Sequence, residues 1–291
     1  MGLGDLLRGL FASKGFGVDE LARRLGITPD DLRKVQPAYT EFTVPKCAGG
    51  SRRICAPDRA LKTVQRRILR RLLSRLRAHP AAMGFERGRS IVTNARPHTG
   101  KAVVLRMDLK DFFDTTTARR VRDYFRRIGW NGEAADLLTR LCTHNGGLPQ
   151  GAPTSPRLSN LVNHKLDARL SALAKRFGAT YTRYADDMTF SFEKEDTATV
   201  RSVIRATGKI ARAAGYTLHK RRKLRVWRAH RRQTVTGLVV NHAVNLPRER
   251  RRWLRAVEHR LATGGQATLT AEQLKGWRAL QHMVEGKTKA S

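Results

Sequence analysis

Residues 180–192 read TYTRYADDMTFSF. Apolar and aromatic side chains alternate with polar ones on both sides of two adjacent aspartates. Alternation at period two signals a strand, and an interruption by acids signals a turn. The segment is therefore expected to form a hairpin with Asp186 and Asp187 at its turn. Met188, Phe190 and Phe192 would face one side, Thr189 and Ser191 the other. Two neighbouring carboxylates repel unless a cation lies near them. By itself an Asp-Asp pair most often marks a surface turn, so its meaning depends on what surrounds it.

A second segment points the same way. Residues 102–107, AVVLRM, form a short apolar run of strand type that ends on Asp108. A carboxylate projecting from one strand, beside a carboxylate pair on a neighbouring hairpin, suits the oxygen-seeking Mg²⁺ ion. Two such ions about 3.5–4 Å apart clamp the attacking and leaving oxygens of an in-line phosphoryl displacement.

Acids are scarce elsewhere. The 291 residues carry 58 Lys and Arg against 24 Asp and Glu, a formal charge of +34. Residues 1–45 hold six of each sign, so the excess lies beyond them. Residues 59–77 hold eight basic side chains and no acid, and residues 219–260 hold fourteen against Glu249 and Glu258. Such stripes fit a polyanion, whose neutralised phosphates release counterions. A solvated arginine face is the plain alternative. With 40% hydrophobic residues the chain can bury a core, which excludes a disordered basic tail. No run approaches about 18 consecutive apolar residues, so no membrane span is expected. The N-terminus lacks a secretory signal, and Cys47, Cys55 and Cys142 form no C-x-x-C pair. Neither a disulfide framework nor a zinc knuckle is indicated, and a reduced intracellular compartment is expected.

Periodicity gives a mixed architecture, a small antiparallel sheet with many helices. Residues 18–35 read as two short helices, the first ended by Gly26 and the second capped by Thr28 with Pro29 at its first position. They could be half of a helix-turn-helix or a packing pair. Residues 39–57 read as a hairpin turning at Gly49-Gly50, and 60–77 as an amphipathic helix. Helices follow at about 117–128 and 133–142. Ser155 and Pro156 open another, running to about Leu173. A helix at about 197–214, strand-like LRVW and TVTGLVV, and helices at 248–262 and 271–284 complete the pattern.

Three strings complete a set: Met107-Asp108-Leu109-Lys110-Asp111-Phe112-Phe113, then Leu148-Pro149-Gln150-Gly151-Ala152-Pro153-Thr154-Ser155-Pro156, then Tyr184-Ala185-Asp186-Asp187. In order and spacing they resemble the motifs of reverse transcriptases, over roughly residues 39–285. The resemblance implies an α+β right-hand polymerase fold: an N-terminal helical segment (1–38), fingers (39–101), a palm with inserted fingers helices (102–240) and a helical thumb (241–291). It implies an RNA-directed DNA polymerase in which Asp108, Asp186 and Asp187 are catalytic and, with the Leu109 carbonyl, hold two Mg²⁺ ions, Mn²⁺ being a substitute. Asp111 and Asp114 do not match the metal position and are assigned structural roles. Phe113 would sit under the incoming sugar and select dNTPs, Phe112 being the better core aromatic. Gln150 and Gly151 would touch the nucleotide, and Lys46 and Arg52 its triphosphate. Lys223 matches the motif lysine near pyrophosphate, with Arg222 as the alternative.

Asn94-Ala95-Arg96-Pro97-His98, Val235-Thr236-Gly237, the Ala-Pro-Thr-Ser-Pro string and Ala185 resemble retron reverse transcriptases in particular. His98 also has the reading of a satisfied structural histidine. Membership implies a bacterial cytoplasmic enzyme that binds its cognate structured non-coding RNA. It would prime from a guanosine 2′-hydroxyl and make multicopy single-stranded DNA (msDNA), a branched RNA–DNA hybrid, in antiphage defence. With no room after the thumb for a nuclease, protease or membrane domain, a separate effector protein is expected. RNA contacts are expected at Asn94, His98, Arg221, Arg222, Arg225, Val235, Thr236, Gly237, Arg250, Arg251 and Arg252. Trp227 could stack on bases, while Trp253 and Trp277 read as core. The alternatives are a group II intron-like or diversity-generating reverse transcriptase, or a catalytically silent RNA-binding scaffold.

Overall fold

The computed structural model describes residues 15–45, 49–219 and 224–286. Its chain divides into two compact units, Met1–His79 with Asp111–Lys165, and Pro80–Lys110 with Leu166–Ser291.

The first unit is mostly helical. Helices Val18–Leu25 and Pro29–Lys34 form as the caps predict. Gly26 is left-handed at φ 64°, and the Thr28 side chain accepts from the Asp31 N–H at 3.1 Å. Leu21, Leu25 and Leu32 are fully buried, so the two helices are a packing pair. Strands β1 (Tyr39–Pro45) and β2 (Ser51–Pro57) pair antiparallel. Helix Arg59–Arg71 buries Leu61, Val64 and Ile68. It stops short of the expected end at residue 77 and passes into a 3-10 turn, Leu73–Arg75. Arg157 holds this turn, donating to the carbonyls of Leu73 (3.2 Å) and Leu76. Helices Ala118–Arg127 and Gly132–Cys142 close this core.

The helix expected from Ser155 to about 173 is two helices, Ser155–Val162 and His164–Arg176. Asn163 separates them. Its amide donates to the Ser159 carbonyl (2.8 Å) and accepts from Arg120 (2.8 Å), a local alternative to continued helix. Ser155 is the first helical residue rather than the cap; Thr154 precedes it.

The second unit carries a four-stranded antiparallel sheet in the order β4-β5-β3-β6. Its strands are β3 (Val103–Asp108), β4 (Ala179–Tyr184), β5 (Asp187–Phe192) and β6 (Arg225–Arg228). A two-residue ladder, β7 (Thr234–Val235) with β8 (Leu238–Val239), turns through Thr236 (φ 46°) and Gly237 (φ 83°), the positive pair that a tight hairpin needs. Helices Thr197–Ala213, Arg248–Ala262 and Ala271–Glu285 complete the unit. Trp253 and Trp277 meet edge-to-face and pack on a small core around Val235 and Leu254, as expected of core residues. No helix among the described residues is long and apolar enough to cross a membrane.

Strand β5 is buried on both faces, so Thr189 and Ser191 do not meet solvent. The reason is His98. Its ring lies over the polar face of the sheet, Nδ1 2.7 Å from Ser191 Oγ and Nε2 2.8 Å from Thr182 Oγ1. Burial, and secondarily the Lys101 charge, push this imidazole down from 6.5 to about 3. Below about pH 6.5 the unfolded chain binds a proton that the folded chain refuses. Stability should then fall by about 1.4 kcal/mol per pH unit until the folded value near 3. Urea unfolding at pH 7 and pH 5 should show wild type losing about 2 kcal/mol more than His98→Gln over that interval. Parallel profiles for the two proteins would contradict this account.

Candidate active site

Strand register places the acids. Asp108 ends β3 directly opposite Asp187, which begins β5, and Asp186 occupies the two-residue turn between Tyr184 and Asp187. Asp108 and Asp187 are buried. With Arg106, Tyr184, Arg225 and Trp227 the three acids line one cavity of about 550 Å³. The ends of the sheet therefore gather the three aspartates that the sequence singles out.

Burial pushes the Asp187 carboxyl up to about 6, and the nearby Asp186 and Asp108 charges push the same way. The Arg106 guanidinium opposes them, Nε donating to Asp187 Oδ1 at 2.7 Å. Asp108 faces His219, whose Nε2 lies 3.6 Å from Oδ1 and whose backbone N–H donates to the Asp108 carbonyl at 3.0 Å. The donor set is three carboxylates with all-oxygen ligation, held close enough to raise the proton affinity of one. That is the chemistry of a hard divalent cation site. Leu109 adjoins it, and its N–H donates to the Asp186 carbonyl at 2.9 Å.

The aspartate turn is held from behind. Ala185 is left-handed at φ 57°, a strained state for a residue with a Cβ. Its carbonyl accepts from Arg183 Nη1 at 2.9 Å. The same guanidinium grips Asp167 through Nε (2.7 Å) and Nη2 (2.6 Å), and the Tyr181 hydroxyl donates to Asp167 at 3.0 Å. Both charged side chains are fully buried. Segment 81–84 adds a second support: Arg183 N–H donates to the Ala81 carbonyl and Met83 N–H to the Arg183 carbonyl, both at 2.7 Å. At Gly84 an added Cβ would lie 3.0 Å from the Ala185 nitrogen, so this close approach favours glycine.

Sequence reasoning missed Arg106, Asp167, Arg183, Gly84 and His219. Arg106 carried a readable signal, since it precedes Asp108 by two on one strand and shares its face. Asp167 carried a fainter one, an acid beside Leu166 and Leu170 in a buried helix.

Of the residues expected to bind nucleotide, Arg52, Phe113, Gln150 and Gly151 belong to the first unit. Phe113 is half-buried against that unit's core, while Phe112 is buried, as its core reading requires. The Phe113 carbonyl accepts from Leu148 N–H at 3.1 Å, joining Phe113 to the loop that carries Gln150 and Gly151. The Gln150 carbonyl accepts from Cys55 N–H at 2.7 Å, joining that loop to the β1–β2 hairpin. Gly151 has φ 124°, and a Cβ there would fall 2.7 Å from the Cys55 oxygen. Arg52 is exposed on β2. Lys46, Arg221, Arg222 and Lys223 lie outside the described residues.

The candidate RNA contacts separate by burial. Arg225 is exposed at the aspartate cavity, and Arg250, Arg251 and Arg252 are exposed on their helix. Asn94, His98 and Val235 are buried at 1%, 0% and 0% exposure, so in this conformation they present no surface to RNA. They correct the direct-contact expectation: these signature strings pack against each other. The Asn94 amide reaches Thr236 Oγ1 at 3.5 Å, Thr236 Oγ1 donates to the Ile91 carbonyl at 3.0 Å, and Val235 packs with Val92 and Ala95.

A family model described as reverse transcriptase (RNA-dependent DNA polymerase) matches residues 44–240. The chain is 40% identical to the retron Mx162 reverse transcriptase of Myxococcus xanthus, covering 92% of this chain and 64% of that protein. It is 41% identical to the retron Mx65 reverse transcriptase of the same organism, covering 84% and 61%. To the retron Ec86 reverse transcriptase of Escherichia coli it is 35% identical, covering 95% and 84%. The chain thus spans less than two thirds of the two Myxococcus relatives. Among solved structures, telomerase from Candida albicans in complex with a telomeric RNA fragment superposes with TM-score 0.52 at 13% identity, over 75% of this chain and 47% of that one. That likeness concerns fold alone.

Replacing one member of the buried pair leaves the other charge uncompensated. Asp167→Asn should therefore lower unfolding free energy by about 3–5 kcal/mol, read by chemical denaturation. Asp167→Leu combined with Arg183→Met should recover much of that loss, and a loss no larger than that of a surface substitution would remove the pair from this role.

Proposed function

Because the chain belongs to the reverse transcriptase (RNA-dependent DNA polymerase) family, among the retron enzymes, and has the right-hand polymerase fold, we propose that it is an RNA-directed DNA polymerase that makes msDNA. It binds its cognate structured non-coding RNA, primes from a guanosine 2′-hydroxyl and extends with dNTPs, acting with a separate effector protein in antiphage defence. The observation that carries the polymerase reading is the register pairing of Asp108 with Asp187, with Asp186 in the adjoining turn, on one cavity.

Asp108, Asp186 and Asp187, with the Leu109 carbonyl, would hold two divalent cations, Mg²⁺ or Mn²⁺. Bound there, the cations would offset charge on the attacking and leaving oxygens during displacement at the nucleotide's α-phosphate. Arg106 holds the Asp187 carboxylate in place and opposes the cost that burial and the neighbouring Asp186 and Asp108 charges impose on its ionised form. Arg225, exposed at the same cavity, gives the nucleic-acid backbone a cationic partner. Phe113 excludes a sugar 2′-hydroxyl by bulk, and Gly151 lets the backbone approach the base pair. Exposed arginines 250–252 track RNA phosphates, in keeping with recognition by shape, phosphate and 2′-hydroxyl contacts.

Asp186→Asn and Asp187→Asn should each reduce primer extension by at least about a hundredfold while leaving the thermal midpoint unchanged or higher, since each removes a charge from a self-repelling cluster. Co-expression with the DNA flanking the gene should yield a small branched DNA that is lost in both variants. Extension of ordinary primers without branched product would retain the polymerase and discard the retron reaction. No extension on a primed template with Mg²⁺ would discard both.

Sugar selection gives a separate check. Phe113→Ala should raise the ratio of ribonucleotide to deoxynucleotide incorporation by roughly tenfold or more, the value of a steric difference of 1–3 kcal/mol. Unchanged discrimination would remove Phe113 from this position.

A further inference from the structure

A second cluster of ligating side chains lies in the first unit, chemically unlike the aspartates. Glu41 on β1 and Cys55 on β2 are direct partners in the antiparallel register. Such partners project from the same face with Cβ atoms about 4.5–5.5 Å apart. His144 approaches from the turn after helix Gly132–Cys142. Its Nε2 lies 3.0 Å from Glu41 Oε1, and Cys55 Sγ lies 3.8 Å from the same oxygen. The three ligating atoms all fall within 4.8 Å of one another, the one such group among the described residues. A tetrahedral zinc ion with bonds of about 2.3 Å to sulfur and 2.0–2.1 Å to nitrogen or oxygen separates its ligand atoms by about 3.3–3.6 Å. The observed spacings bracket that value without backbone movement.

The surroundings keep the geometry. Tyr39, two residues before Glu41 on the same face of β1, stacks on the His144 ring with centroids 4.3 Å apart and planes 30° apart. The turn bearing His144 is closed by paired bonds to Gly147, N–H to carbonyl at 2.9 and 3.1 Å. Two other groups reach Glu41: the Asn145 amide donates to Oε1 at 3.3 Å, and Arg53 Nη1 lies 3.7 Å from Oε2. Arg53 is exposed and can swing to solvent. Cys55 is buried, His144 half-buried and Glu41 exposed, so the cluster meets solvent on its Glu41 side.

We propose that Glu41, Cys55 and His144 bind a zinc-class divalent transition ion, with water as fourth ligand, which staples the β1–β2 hairpin to the 143–147 turn. On binding, the Cys55 thiol loses its proton to solvent as the S–metal bond forms. The His144 proton moves to Nδ1, leaving Nε2 to coordinate. One proton is released per ion, with no redox change. A thiolate and an imidazole select zinc-class ions over Mg²⁺, whereas the three aspartates favour the harder ion. The two sites would therefore sort metals rather than compete. Because Cys55 N–H bonds the Gln150 carbonyl, the ion would also stiffen the loop proposed to touch nucleotide; that consequence alone rests on the polymerase reading.

The test uses the purified full chain, stripped with chelator and titrated with Co²⁺ and then Zn²⁺. One equivalent of Co²⁺ should produce a thiolate-to-cobalt charge-transfer band with intense tetrahedral ligand-field absorption, and Zn²⁺ should displace it. Cys55→Ala should abolish the band, while Cys47→Ser and Cys142→Ser should keep it. Glu41→Gln and His144→Gln should weaken Zn²⁺ affinity by more than about a hundredfold, beyond the loss typical of outer-shell changes. Asp186→Asn should leave the band intact, which separates this site from the aspartates and makes the result independent of polymerase activity. Far-UV circular dichroism checks that each variant is folded. Absence of the band in the wild-type chain, or its survival in folded Cys55→Ala, overturns the proposal and leaves the cluster a hydrogen-bonded tie within the hairpin.

Discussion

The buried ion pair between Asp167 and Arg183 sets the position of everything at the end of the β4–β5 hairpin. A guanidinium with no solvent contact is costly unless its donors and charge are met. Here Asp167 takes two of its N–H groups, and the Ala185 carbonyl takes another. The Arg183 backbone is engaged on both sides by segment 81–84. Side chain and backbone are thus fixed at once, one residue before Tyr184 and two before the left-handed Ala185. Asp186 and Asp187 follow with little freedom, and strand register then puts Asp187 opposite Asp108. The pair is better understood as a device for placing acids than as a net source of stability, because a well-packed apolar pair could stabilise the same space as well.

Sequence patterning reached the elements and the acids because both are local. Period-two alternation locates β4 and β5, helical spacing locates the Arg248–Ala262 and Ala271–Glu285 helices, and Thr28 with Gly26 marks helix ends to the residue. Patterning failed where a distant partner decides. The Arg59–Arg71 helix gives way to a 3-10 turn where Arg157, far along the chain, takes the carbonyls of Leu73 and Leu76. Helix Ser155–Val162 stops at Asn163 because Arg120 stabilises the break. The polar face of β5 is buried because His98 supplies the hydrogen bonds that water would have made. The Glu41, Cys55 and His144 cluster escaped for the same reason: no short spacing joins its members, and only the hairpin register and the 143–147 turn bring them together.

The same distinction reorders the charge. A net +34 invites the view that every basic stripe is a nucleic-acid surface. Several arginines instead have internal duties. Arg67 and Arg71 donate to the Gly26 and Arg24 carbonyls, closing the end of helix Val18–Leu25. Arg24 lies over the rings of Phe16 and Trp130, and Arg250 over those of Trp253 and Trp277. Arg106, Arg157 and Arg183 are each committed to a carboxylate or to backbone carbonyls. Arginine suits such work because its planar fork satisfies several acceptors at once, and its charge survives burial better than that of lysine. The surplus available to phosphate is therefore smaller than the formal charge, and lies chiefly on exposed positions such as Arg52, Arg225, Arg251 and Arg252. The acids follow the complementary logic. Several surface carboxylates neutralise a neighbouring arginine, as Glu20 does for Arg23 and Arg24. Asp108, Asp186 and Asp187 gather on one cavity, where Arg106 closes on Asp187 at hydrogen-bond distance. The three acids line one cavity of about 550 Å³, and burial together with the Asp186 and Asp108 charges raises the proton affinity of Asp187, which makes a cation their natural counterpart.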